Sequence, residues 1–172
     1  MRFFLPLVFS AFLLVSSCTN KSNDTMLTTL YFIRHAEKDR SNPENKNPHL
    51  TTTGLNRAQY WSEIFKNVKF DAIYSTDYNR TIETAKPTAN SNNITIQIYD
   101  AIQLDTRNIL ENNKGNNVLI VGHSDTTPKF VNKFLGTDSY LDIDDSNNGN
   151  LYILTITDTM VTDLLLTVNP QQ

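Results

Sequence analysis

Short apolar runs alternate with stretches of helical spacing along most of this chain. Leu30, Tyr31, Phe32 and Ile33 are consecutive, and a run of aromatic and β-branched types predicts a buried strand. After a loop at 39–49 rich in Pro, Asn and charge, Thr51, Thr52 and Thr53 offer an N-cap. Leu55, Ala58, Trp61, Ile64 and Phe65 then recur as on one helix face. Residues 70–75 predict a second strand. Asp77 can cap a helix that turns Tyr78, Ile82 and Ala85 inward, with Pro87 near its end. Residues 94–99 alternate apolar and polar, the pattern of a half-buried strand, and residues 101–113 have helical spacing up to Lys114 and Gly115. Val118 to Val121 form the most apolar strand after the N-terminal region. A helix over about 127–135 follows, with Pro128 in its first turn and Gly136 beyond its end. Residues 142–150 are acidic and Asn-rich, which predicts a solvated loop. Residues 151–156 and 161–168 predict a terminal hairpin.

Strands alternating with helices predict an α/β fold, a three-layer α/β/α sandwich. The terminal hairpin makes the sheet mixed and mostly parallel.

At the N-terminus Met1 and Arg2 precede a short, almost wholly apolar run to Val15. That run is too short for an ordinary transmembrane helix and fits the core of a secretory signal. Leu14, Val15, Ser16, Ser17 and Cys18 resemble the lipobox of bacterial lipoprotein precursors. The resemblance implies a signal peptide over 1–17 and a lipidated Cys18 as the membrane anchor. Residues 18–27 then form a flexible polar tether and 28–172 a single domain. It also implies an envelope location, facing the periplasm or the outer surface. Cys18 is the only cysteine of the 172 residues, so its lipidation leaves no thiol for a disulfide or for catalysis. A formal charge of -3 gives no reason to expect a nucleic-acid partner.

Candidate chemistry sits where the strands end. The first apolar run empties into Arg34, His35 and Glu37, and the run at 118–121 empties into Gly122, His123 and Ser124. Adjacent parallel strands lie roughly 5 Å apart, so two such ends can converge on one small anion. A guanidinium forks onto phosphate oxygens while an imidazole attacks the phosphorus. Arg80, at a predicted helix start after the second strand, adds a further phosphate ligand. A metal centre of His35, Glu37 and His123 is the rival reading, since His-x-Glu on a strand shares one face. The adjacent arginines disfavour it, because they repel a dication.

Three motifs occur in order: Arg34-His35-Ala36-Glu37; Ser75-Thr76 with Arg80-Thr81 and Thr84-Ala85; and Val121-Gly122-His123-Ser124. With Leu50, Thr51, Gly54 and Ala58 between the first two, they resemble the histidine phosphatase superfamily, the phosphoglycerate-mutase-like group. The resemblance implies a hydrolase of small phosphorylated substrates that works without metal or cofactor. His35 is then the nucleophile, passing through a phosphohistidine that water hydrolyses. Arg34, Arg80 and His123 hold the phosphate oxygens and their developing charge, with a protonated His123 suited to that role. Glu37 and Ser124 are further pocket candidates. Asp100, after the third strand, is the candidate proton donor to the leaving group, with Asp105 its rival. Ala36 departs from the glycine of many relatives but keeps a small residue there. A phosphate-binding module without turnover is the alternative function.

Overall fold

A computed structural model describes residues 26–103 and 105–170. The signal peptide, Cys18 and most of the tether expected from the sequence lie outside the described residues. Ten elements follow one another: β1 (Thr28–Arg34), α1 (Thr52–Ile64), β2 (Ala72–Ser75), α2 (Asn79–Asn92), β3 (Gln97–Ile98), α3 (Thr106–Asn112), β4 (Asn117–Gly122), α4 (Thr126–Leu135), β5 (Asn150–Ile156) and β6 (Val161–Thr167). The strands form one sheet in the order β3-β2-β4-β1-β5-β6. Strands β3, β2, β4 and β1 are mutually parallel, while β5 runs antiparallel to β1 and to β6.

Both faces of the sheet are covered, which is why β1 and β4 read as continuous apolar runs. Leu30, Phe32, Val118 and Ile120 point to one side and pack with Ile109 of α3 and Phe130 of α4. Ile33, Leu119 and Val121 point to the other, against Trp61 of α1 and Ala85 and Ala89 of α2. The alternation along each strand makes this a three-layer α/β/α sandwich with a mixed, mostly parallel sheet. Among the described residues, no helix is long and apolar enough to cross a membrane.

Local chemistry explains where the elements start. Thr51 caps α1, its hydroxyl accepting from Gly54 N at 3.1 Å. Gly54 lies so close to the loop after β1 that a Cβ there would fall 2.3 Å from the Glu37 carbonyl oxygen. Three expectations are corrected. Asp77 is not the cap of α2: Tyr78 occupies that position, and the helix runs on through Pro87 to Asn92 before Asn93 closes it at φ 55°. The strand expected over 94–99 shrinks to Gln97–Ile98, and it stops there because its partner β2 ends at Ser75, opposite Ile98. The helix expected from residue 101 begins at Thr106. Asp105 caps it, accepting from Asn108 N, while Asp100 accepts from Ile102 N and holds a turn instead.

Candidate active site

The register of the central strands brings the motif residues together. Arg34 of β1 lies opposite Gly122 of β4, and His35 N donates to Gly122 O at 2.9 Å. His123 follows β4 directly, so the two imidazoles meet with ring centroids 5.6 Å apart. On the other side of β4, β2 leads into Thr76 and then Arg80 in the first turn of α2. Arg34, His35, Arg80 and His123 line one cavity of about 600 Å³. Ser124 and Asp100 line it as well. Glu37 does not, and Asp105 does not. The Glu37 carboxylate is taken by Arg57 of α1, with Nε at 2.8 and 3.0 Å from its two oxygens and Nη2 2.8 Å from Oε1. The pocket role expected of Glu37 is therefore corrected: a forked ion pair ties the loop after β1 to α1. The same pair removes Glu37 from any centre with the two histidines. Among the described residues no three metal-binding side chains converge.

His35 is buried and its ring is fixed by its own neighbour. Nδ1 lies 2.7 Å from the Ala36 carbonyl oxygen, and a carbonyl accepts only, so Nδ1 carries the proton and Nε2 keeps its lone pair. The Ala36 N–H donates to Thr84 Oγ1 at 2.9 Å, and Thr84 Oγ1 donates to the Arg80 carbonyl at 2.7 Å. Asn148 Nδ2 donates to the His35 carbonyl at 2.9 Å. The nucleophile candidate is thus braced from α2, from β4 and from the loop before β5. Burial pushes its pKa down to about 3; the bond to Ala36 opposes this, and the charges of Arg34, His123 and Arg80 add to it. The ring is neutral at pH 7, as attack requires.

His123 is also neutral, against the expected imidazolium. Burial first, then Arg80, lowers its pKa to about 4. Arg80 Nη2 sits 3.4 Å from His123 Nδ1, and a guanidinium can only donate, so Nδ1 accepts and Nε2 holds the proton. Nε2–H then donates to Thr76 Oγ1 at 2.9 Å, Thr76 donates to Thr81 Oγ1 at 2.9 Å, and Thr81 donates to the carbonyls of Thr76 and Tyr78. Tyr78 completes the cluster, with its ring centre 4.3 Å from the Arg80 guanidinium carbon and 5.1 Å from that of His123. A phosphate dianion in the cavity favours the charged form of His123 and draws its pKa upward.

These depressed values carry a pH signature. Both folded pKa values lie below the ordinary 6.5, so between about pH 6.5 and pH 3 the unfolded chain binds more protons than the folded one. Stability from these groups is complete above about pH 6.5 and lost as pH falls. The melting temperature is expected to drop over that window, and less steeply in the His35→Ala and His123→Ala variants. Thermal denaturation at a series of pH values measures this, and parallel slopes in wild type and variants would contradict it.

Arg34, 1% exposed, reaches across the cavity floor to the loop expected to be merely solvated. Nη1 donates to the carbonyls of Asp144, Asp145 and Asn147 at 2.9–3.1 Å, and Nη2 pairs with Asp145 Oδ1 at 2.6 Å. Arg40 Nη2 lies 2.7 Å from the same oxygen. Arg40, and then Arg34, hold the Asp145 carboxyl below its usual range. The loop is therefore a clamp on Arg34, a correction that composition alone did not foreshadow. Arg34 and Arg80 each keep a buried Nε with no partner among the described residues. Lys38 and Asp145, which carry no motif, also line the cavity. Alternation along the chain gave no reason to single out either one. The site joins a fixed lone pair, two guanidiniums and a lysine in one pocket, which suits capture of a phosphoryl group and stabilisation of its developing charge.

Residues 30–103 match the model of the histidine phosphatase superfamily (branch 1), a span that includes Arg34, His35, Arg80 and Asp100. No curated protein matches the chain. Several solved structures share its fold. A phosphoglycerate mutase from Bacillus anthracis str. Sterne superposes with a TM-score of 0.65 at 14% identity, over 84% of this chain and 94% of that one. The protein histidine phosphatase SixA, complexed with tungstate, gives 0.64 at 13% identity, over 81% and 96%. An alpha-ribazole phosphatase from Shigella flexneri gives 0.62 at 15% identity, over 81% and 96%. At such identities the likeness is one of fold.

Proposed function

Taking as premise a phosphatase of the histidine phosphatase superfamily, which the family model and the shared fold support, we propose that the chain hydrolyses small phosphomonoesters or phosphoramidates through a phosphohistidine at His35. The observation that carries the reading is the Nδ1 bond to the Ala36 carbonyl, which leaves the Nε2 lone pair as the free nucleophile beside two arginines. In the first step the Nε2–P bond forms as the bond from phosphorus to the leaving oxygen or nitrogen breaks. Arg34, Arg80 and His123 take up charge on the non-bridging oxygens. In the second step water gives a proton to Asp100 as it adds to phosphorus, the N–P bond breaks with its electron pair returning to Nε2, and phosphate departs. Asp100 is the proton donor to the leaving group: Oδ1 is held by Ile102 N at 2.8 Å, and its carboxyl lines the cavity. Phosphoramidates depend less on that donor, since their nitrogen protonates readily, and one structural neighbour is itself a protein histidine phosphatase.

The purified protein is expected to release phosphate from a simple aryl phosphate in the presence of EDTA. Activity that vanishes in EDTA and returns with added metal would contradict a metal-independent mechanism. A binding module without turnover is the second reading. It is favoured by the commitment of Arg34 to the 144–147 carbonyls and Asp145, which leaves that guanidinium few donors for a phosphate. Saturable binding of an aryl phosphate with no release would support it.

The N-terminal pattern supports an envelope setting, with Cys18 lipidated and the domain held to a membrane by residues 18–27. Cys18→Ala is expected to move the protein from the membrane fraction to the soluble fraction. Retention on the membrane would contradict the anchor.

A further inference from the structure

Charge divides the cavity into two ends. The cations are Arg34 at the end of β1, Lys38 in the chain beyond it and Arg80 in α2, with one anion, Asp145, paired to Arg34 among them. The neighbouring strands β3, β2 and β4 each deliver an aspartate just past their C-terminal ends, at Asp100, Asp77 and Asp125, and all three line the same cavity. Asp125 is partnered by Lys129 at 3.6 Å. Asp77 and Asp100 have no ion-pair partner among the described residues. The backbone bond from Ile102 fixes one Asp100 oxygen and leaves the other free.

This end also has an apolar wall. Ile98 is 54% and Ile102 92% exposed, and both line the cavity. Between them Tyr99 also lines the cavity and packs its ring on Phe130 at 5.8 Å, with its hydroxyl turned toward Gly122. Burial raises the Tyr99 pKa well above its usual value, so the hydroxyl stays protonated and able to donate or accept. The Asp77 carboxylate, the free Asp100 oxygen, which accepts from an ammonium whether or not that side chain carries the proton it donates, and the isoleucine side chains form a surface for a group that is at once cationic and partly hydrocarbon. A carboxylate or a second phosphate placed there meets like charge. A volume of about 600 Å³ accommodates a phosphoryl group together with such a small leaving group.

We propose that this end of the cavity selects small phosphoryl compounds whose leaving group carries an ammonium on a short alkyl chain. The inference rests on the phosphate pocket described above and adds the chemistry beyond phosphorus. Three phosphonates, whose carbon–phosphorus bond the proposed reaction does not cleave, test it by calorimetry on the full chain in detergent at pH 7: aminoethylphosphonate, ethylphosphonate and phosphonoacetate. The amine is expected to bind at least about fivefold more tightly than the ethyl compound, the scale of a partly solvated ion pair, and phosphonoacetate most weakly. In the Asp77→Asn/Asp100→Asn double variant the amine's advantage is expected to fall below about twofold on the same grounds. An asparagine in place of Asp100 still offers a side-chain carbonyl to Ile102 N, so the turn is retained. Equal or tighter binding of either competitor, or an advantage that survives in the double variant, overturns the proposal. Aryl phosphate hydrolysis without amine preference defeats this inference alone. Amine preference without hydrolysis upholds it and defeats the phosphatase reading.

Discussion

His35→Ala is expected to lower phosphate release by at least about 10³-fold, on the order of 4 kcal/mol of barrier. Alanine removes the atom that accepts the phosphoryl group and leaves Arg34, Arg80 and His123 to bind substrate. The loss is therefore expected in kcat, with KM changed by only a few-fold. Steady-state kinetics on an aryl phosphate measures both. The fold should survive, because the His35 backbone keeps its bonds to Gly122 and Asn148 whatever side chain it bears. A variant that retains wild-type kcat would mean that water is activated directly, with His35 only lining the pocket. A variant that loses KM and keeps kcat would make His35 a binding group.

The second large effect falls on stability. Arg34→Ala leaves three loop carbonyls without their donor and the Asp145 carboxylate with Arg40 alone. A carbonyl left without its donor costs about 1–3 kcal/mol when buried, and the lower end applies to each of the three because they are only partly buried, for a total of about 3 kcal/mol. A loss of about 3 kcal/mol corresponds to roughly 10 °C in melting temperature for a domain of this size. Thermal denaturation of wild type and variant tests this, and limited proteolysis is expected to show faster cleavage within residues 142–150. A shift of under about 2 °C would show that the clamp contributes little. Arg34 would then be free to serve the phosphate with all its donors. The two roles compete for the same N–H groups, so Asp145 and a bound phosphate share one guanidinium.

These two effects lie on opposite sides of what the chain discloses before it folds. The ends of β1 and β4 were legible because an apolar run that stops at a histidine is a local pattern, and parallel neighbours must bring such ends together. Thr51 as the cap of α1 was legible for the same reason: its acceptor and the Gly54 N–H are three residues apart. The Arg34 clamp joins residues 110 to 113 positions apart, and no periodicity connects a buried arginine to the carbonyls of a distant loop. Composition described that loop as solvated because its side chains are polar. Its function lies in its backbone, which polarity does not report. Glu37 was misplaced in a similar way, since a carboxylate near a phosphate motif and a carboxylate paired with Arg57 look alike until α1 is docked. The late start of α3 and the point where β3 stops follow from Asp105, Asp100 and the end of β2, each a competition between local bonds that propensity alone does not decide.

The protonation of His123 shows the same limit in electrostatic form. A histidine in an anion site suggests an imidazolium. Burial beside Arg80 holds this one neutral, with its proton directed at Thr76. The charge expected of it belongs to the complex with phosphate rather than to the protein alone.

The central claim is that the phosphoryl group passes through His35. It is tested most directly by mixing the protein with a radiolabelled phosphoryl substrate, stopping turnover in alkaline denaturant and locating the label. The account predicts covalent label on His35 that is stable in base, lost in acid and absent from His35→Ala. Label on a serine or an aspartate, label that resists acid, or rapid turnover with none trapped at any time would contradict it.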